Sequence, residues 1–366
     1  MTELYHGDIN TKTVWTPASH GGVYTHHRIP GIVITKKGTV IIYCEARDTT
    51  DTLGTLGKGS DWCRMDILLQ RSEDGGETFG APIYITRGGC AEDGNSNHIT
   101  VNNPVMIVGD DGILHMLFCK SYGICNGGLW YTQSTDDGIS WSTPRQIMDS
   151  LKAEAGYDFN CFAFGPTHGI CTSKGVLMTA AWAVPCEDGR ELFSHVPSHA
   201  HIVYSTDNGE TWRITKKISS NTNETDVAEL ADGSIIINSR TGMGVRALNV
   251  CRSFTTDREP QWWGTAYPDE LVDPGCCGGM VSFNNKDISV LLTVNCDDAK
   301  YRRYITVKCS FDGGITYPKK LRITENYGGY CDIAVDARGK VYVLWETAMG
   351  VMMSLTTFSL ADELLA

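Results

Sequence analysis

Residues 205–212 read STDNGETW. Serine, aspartate and glycine at these offsets suit a hairpin turn, in which the aspartate accepts from nearby backbone N–H groups and glycine takes a positive φ at no steric cost. The closing tryptophan can then pack beneath the hairpin. The same pattern, SxDxGx(T/S) followed by an aromatic residue, recurs as SEDGGETF from Ser72, STDDGISW from Ser134 and SFDGGITY from Ser310. The aspartates, Asp74, Asp136, Asp207 and Asp312, stand 62, 71 and 105 residues apart. The last interval leaves room for a unit whose turn has degenerated, near SFTTDREPQWW (253–263).

Between the turns lie short apolar runs bounded by Gly, Asp and Asn: GIVITKKGTVIIYCEAR (31–47), DGILHMLFC (111–119), GVLMTAAW (175–182), DGSIIINSR (232–240) and RGKVYVLWE (338–346). They are strand-length and rich in Val, Ile and Tyr, and no long 3.6-residue period competes with them. A unit of about 60 residues holds a four-stranded sheet, so 366 residues make about six. The pattern predicts an all-β chain, a six-bladed β-propeller of four-stranded antiparallel sheets forming one domain over 1–366. Helix is expected only near LKAEAG (151–156) and at SLADELLA (359–366).

Composition narrows the partners. A net charge of −12 argues against nucleic acid, whose phosphates require a basic footprint, so an anionic ligand would need a local basic pocket. No apolar run is long enough for a membrane span, and the start MTELYHGDINTKTVW lacks a secretory leader. A cytoplasmic location is the expectation, with secretion the alternative if the natural chain starts further upstream. The 14 cysteines are scattered through apolar runs without a CxxC pair, and the neighbours Cys276 and Cys277 would point to opposite faces of a strand. Buried reduced thiols are predicted, and no zinc site.

The four turns resemble the Asp boxes of the sialidase (neuraminidase) superfamily, which also occur on unrelated β proteins. The resemblance sharpens at HRIPGIVITKKGTVIIYCEARD (27–48), which is similar to the RIP and EAR-like segments opening the first blade of exo-α-sialidases with Asp-box (BNR) repeats, and it extends to about Glu346. It implies a catalytic propeller that hydrolyses terminal α-linked sialic acid from glycoproteins, glycolipids or oligosaccharides with retention, using no metal or organic cofactor. A non-hydrolytic sialic-acid-binding propeller, or an enzyme delivering the sugar to another acceptor or to its own 7-hydroxyl, is the alternative reading.

Sialic acid carries a carboxylate on its anomeric carbon, which guanidinium groups grip in a two-pronged fork. By resemblance the three arginines are Arg28 in RIP, Arg240 in ELADGSIIINSR and Arg302 in YRRYITVKCSFDGG, where the adjacent Arg303 would face the other way along a strand. A carboxylate nucleophile would be repelled by the substrate's own carboxylate, so an activated phenol serves better, and sialidases depart in this way from the two-carboxylate arrangement. GGYCDIAV resembles the segment bearing that tyrosine and implies Tyr330. TNETDVAELADGSIIINSR resembles the one bearing its glutamate base and implies Glu224.

The general acid falls among Asp48, Asp51, Asp61 and Asp66. Asp61 ends a glycine-rich loop at an offset from Ser72 that resembles the family's acid, with Asp51 as runner-up, whereas Asp66 is expected to point away from the mouth. The resemblance also implies that Arg47 lies near the sugar's 4-position, that Asn103 of Asn103–Pro104 contacts the amide or 4-hydroxyl edge, and that Glu346 braces Arg28. Cys277 replaces a family glutamine in LVDPGCCGGMVSF, and the segment 187–201 is either a rim for the leaving sugar or a plain surface loop.

Overall fold

The computed structural model describes residues 4–48, 61, 63–90, 98–122, 127–186, 197–284 and 289–361. Six small antiparallel sheets stand in a ring, so the chain is a six-bladed β-propeller. Blade I comprises His26–Ile34, Val40–Asp48, Arg64–Ser72 and Ile83–Arg87, and blade II His98–Val108, Leu114–Tyr122, Gly127–Ser134 and Arg145–Gln146. Blade III runs Phe159–Phe164, Leu177–Pro185, His199–Ser205 and Arg213–Ile214, and blade V Gly279–Asn284, Ser289–Cys296, Ile305–Ser310 and Lys319–Arg322. Blade VI takes Cys331–Val335, Lys340–Thr347 and Met352–Leu360 from one end of the chain and Tyr5–Trp15 from the other, so the ring closes by pairing the first strand with the last.

Blade IV departs from the four-strand plan. Thr225–Glu229, Ile235–Ser239 and Ala247–Cys251 form a three-stranded sheet. Beyond it, pairing is reduced to the single bridges Leu248↔Ala266 and Val245↔Val272. Like blade VI, this blade carries no Asp-box sequence, and its irregular 253–263 segment occupies the long interval between Asp207 and Asp312.

The apolar core is divided into six clusters, one at each junction between neighbouring blades. Successive residues of a strand point to opposite faces. In Val40–Asp48, Val40, Ile42 and Cys44 pack toward blade VI while Ile41 and Tyr43 pack toward blade II. Both faces are buried, which is why these strands read as unbroken apolar runs. Each fully buried aliphatic side chain stabilises the ring by roughly 1.5–3 kcal/mol.

All four boxes form the same turn. In the third, Ser205 Oγ donates to Asp207 Oδ1 at 2.7 Å and accepts from Gly209 N at 2.9 Å, and Thr211 N donates to Asp207 at 2.9 Å. Equivalent bonds tie Ser72, Asp74 and Thr78, Ser134, Asp136 and Ser140, and Ser310, Asp312 and Thr316. Gly209 has φ +87°, and a Cβ there would lie 2.4 Å from the Tyr131 hydroxyl of blade II, so only glycine fits. Trp212 is buried at the junction of blades II and III.

Helix forms at Met148–Ala155, overlapping the expected segment. Ser359 and Leu360 belong instead to the last strand, where pairing with Tyr5–Trp15 overrides their helical pattern, and 362–366 lie outside the described residues. Twelve of the described cysteines are free thiols, and nine of these are buried. No helix among the described residues is long and apolar enough to cross a membrane.

Candidate active site

In each blade the first and third strands begin, and the second ends, at one end of the ring. The boxes follow third strands and lie at the other end. The described residues assigned to the site by resemblance belong to the first end: Arg28 in the innermost strand of blade I, Glu224 just before and Arg240 just after the opening hairpin of blade IV, Arg302 before the third strand of blade V, and Tyr330 before the innermost strand of blade VI. The innermost strands of blades I and II bulge there. Pairing slips between Arg28 and Gly31 and between Asn102 and Val105, with Ile29 and Asn103 at positive φ ahead of Pro30 and Pro104. Such bulges re-aim side chains at the ends of strands.

Tyr330 is the hub. Its hydroxyl donates to Glu224 Oε1 and lies 3.0 Å from Arg240 Nη1, which also pairs with Glu224 Oε2 at 2.6 Å. The Arg28 and Arg302 guanidiniums stand over the Tyr330 ring, 5.1 and 5.3 Å from its centroid. Three arginines from blades I, IV and V therefore surround one phenol from blade VI. Arg303, by contrast, turns away to pair with Asp298 at 2.6 Å. Glu346 is fully buried; its carboxylate accepts two bonds from Arg28 and further bonds from the backbone N–H groups of Ile29 and Tyr330.

Burial, reinforced by Glu224, holds the Tyr330 phenol well above its ordinary pKa, with Arg240 and Arg28 pulling the other way. Burial works against the charge of Arg28, but Glu346 and Tyr330 outweigh it and the guanidinium stays charged. Arg240 behaves in the same way toward Glu224 and Tyr330. The pocket thus presents fixed positive charge around a neutral nucleophile candidate that already has a carboxylate acceptor in contact.

On the blade I side, buried Arg47 pairs with Glu45 through Nε at 2.9 Å and with Asp61 through Nη1 at 2.8 Å. Asp61 is 57% exposed, so its carboxyl faces the open mouth, whereas Asp66 is buried and accepts from Tyr24 and from Gly88 N. Asp48 faces Arg64 at 3.7 Å. Asp51, most of the 187–201 segment and the glycine-rich loop before Asp61 lie outside the described residues. Asn103 stands at the same end through its backbone, whose N–H donates to Glu45 Oε1 at 2.7 Å. Cys277 is buried in the cluster containing Tyr330 and does not line the mouth.

Glu45 is the residue that motif reading passed over. It is 1% exposed, and burial raises its pKa against the opposing pull of Arg47 and Asn103 N–H. Its position two residues before Arg47 in one strand places both side chains on one face, the signal from which it could have been found. Deeper on the axis, His168 Nδ1 meets Asp332 Oδ1 at 2.8 Å, and Asp226 lies close enough that the three form the only metal-compatible group among the described residues. Its carboxylates already accept backbone N–H bonds from Ile32, Val227, Met280 and Ile333. The group acts as a polar tie between innermost strands.

A ring of six blades with Asp-box turns at one end and a cluster of arginines, tyrosine and glutamate at the other defines the class. The chain belongs to the BNR repeat-like domain family, which matches residues 59–343, and its relatives are those of the bacterial-type sialidase superfamily. It is 26% identical over 354 residues to a sialidase of Bacteroides fragilis, covering 89% of this chain and 60% of that protein. It is 23% identical to a sialidase of Micromonospora viridifaciens, with coverage of 90% and 51%. The chain therefore spans little more than half the length of these two relatives. Among solved structures it is similar to Hadza microbial sialidase Hz136, with a TM-score of 0.77, 26% identity and coverage of 93% of this chain and 67% of that one. The intramolecular trans-sialidase from Ruminococcus gnavus superposes with a TM-score of 0.74 over 96% of this chain and 98% of that one; at 13% identity this likeness concerns the fold alone.

Proposed function

We propose that this chain is an exo-α-sialidase that releases terminal sialic acid from sialylated glycans with retention of configuration. The observation that carries the reading is the Tyr330 hydroxyl bonded to Glu224 within the ring of Arg28, Arg240 and Arg302. The arginines take the sugar carboxylate and seat the anomeric carbon over Tyr330. Tyr330 Oη attacks that carbon while Glu224 takes the phenol proton and Asp61 protonates the departing glycosidic oxygen. The arginine-held carboxylate offsets part of the positive charge that develops on the ring. In the second half a water gives its proton to Asp61 and attacks the anomeric carbon, the Tyr330–carbon bond breaks, and Glu224 returns the proton to the phenolate.

Tyr330→Phe tests this. The variant is expected to fold and to lose nearly all turnover of an aryl sialoside; activity like that of the unaltered protein refutes the mechanism. The mass of the product separates hydrolysis from transfer to an acceptor or to the sugar's own 7-hydroxyl. Absence of any released sugar, with binding retained, favours a lectin.

A further inference from the structure

The segment Tyr327–Gly328–Gly329–Tyr330 brings a second phenol to the pocket. Its backbone is locked to the Arg302 loop: Arg303 and Tyr327 form an antiparallel bridge, Gly328 N donates to Arg302 O at 3.3 Å, and Tyr304 N to Asn326 O at 3.2 Å. Neither glycine could carry a side chain. A Cβ on Gly328 would lie 2.2 Å from Ile305 Cγ1, and one on Gly329 2.3 Å from Glu346 Oε2 and 3.1 Å from the Tyr327 hydroxyl. The Tyr327 hydroxyl and the Glu346 carboxylate therefore flank one point beside the Gly329 backbone, on the side of Tyr330 where Glu346 holds Arg28. Among the described residues no hydrogen bond engages this half-buried hydroxyl. Burial and Glu346 push its pKa up to about 12, against the pull of Arg302 and Arg28, so it remains an O–H donor across the working range.

We propose that Tyr327 is a fourth ligand for the substrate carboxylate, a neutral O–H donor set beside the Arg28 and Arg302 guanidiniums. The inference rests on the reading of the arginine ring as a carboxylate site. Beside three cations, a neutral donor adds a bond to the carboxylate without the mutual repulsion that a fourth cation would add, and among the described residues the hydroxyl has no protein partner to give up for it. A bond of this kind to a group whose charge does not change in the reaction contributes equally in the ground-state complex and in the transition state, so its removal changes affinity more than turnover.

The test is Tyr327→Phe, which keeps the ring and deletes the hydroxyl. With an aryl sialoside KM is expected to rise about tenfold, the inhibition constant of the 2,3-unsaturated sialic acid analogue to rise by a similar factor, and kcat to hold within about twofold. The melting temperature is expected to be unchanged. A variant with unchanged KM and inhibition constant overturns the proposal, as does one in which kcat and melting temperature fall while KM does not, because that pattern marks a role in holding Tyr330. If the unaltered protein neither turns over the sialoside nor binds the analogue, the carboxylate site itself is refuted and Tyr327 with it.

Discussion

Arg28 and Glu346, 318 residues apart in sequence, meet in a two-pronged ion pair, Nε to Oε1 at 3.0 Å and Nη2 to Oε2 at 3.2 Å. The glutamate is completely buried, so neutralising it leaves Arg28 partly desolvated without its counter-charge. Glu346→Gln is expected to cost on the order of 3 kcal/mol of stability and to raise KM for a sialoside at least tenfold. Calorimetry and steady-state kinetics check both, and an unchanged KM in a folded variant counts against the brace.

Asp61, exposed at the mouth and paired with Arg47, is assigned the acid's role, and leaving-group chemistry can test that assignment. Asp61→Asn is expected to lower kcat about 100-fold or more on a sialyl-lactose, whose alkoxide must be protonated. On an aryl sialoside with an acidic phenol the loss should be far smaller. Equal losses on both substrates would assign the acid elsewhere.

Asp207→Ala removes the bonds to Ser205 and Thr211 at the end of the ring opposite the site. A loss of about 1–2 kcal/mol of stability is expected, comparable to deleting a helix cap. Unaltered kcat and KM should accompany it. A change in either parameter in the folded variant would place the boxes in the chemistry.

Stability should also depend on pH through the axial tie. Burial opposes the charge of His168, but Asp332 and Asp226 outweigh it and raise its pKa to about 9. A histidine raised in the folded state contributes stability that is fully present below about 6.5 and is lost as pH climbs through 9. Burial, followed by the repulsion of Asp332, lifts Asp226 to about 7 despite His168, which favours the protonated acid and acts in the same direction at lower pH. The melting temperature is expected to fall between pH 6.5 and 9, and His168→Gln to flatten that slope.

The fold was legible because its units repeat. The boxes stated their turn chemistry residue by residue, and strands buried on both faces left unbroken apolar runs that no helix would produce. Blade IV was visible only as an overlong interval, since bridges such as Leu248↔Ala266 depend on tertiary pairing and leave no local pattern. The arginine ring was reachable through resemblance, and the structure chooses between Arg302 and Arg303 by which one stands over Tyr330. Glu45 and Tyr327 escaped because each matters through a neighbour brought in by the fold: Arg47 and Asn103 for one, Gly329 and Glu346 for the other.

The pairing of Tyr5–Trp15 with Met352–Leu360 also bears on when the molecule becomes active during its synthesis. Arg28, Arg47 and Arg240 leave the ribosome well before Tyr330 and Glu346, and until the sixth blade docks there is a basic arc without the proposed nucleophile or the partner of Arg28. A product that stops short of that blade, or is clipped within it, should be inert and not merely slow. Under the proposed chemistry, sugar release would then count only those molecules in which the two ends of the ring have met.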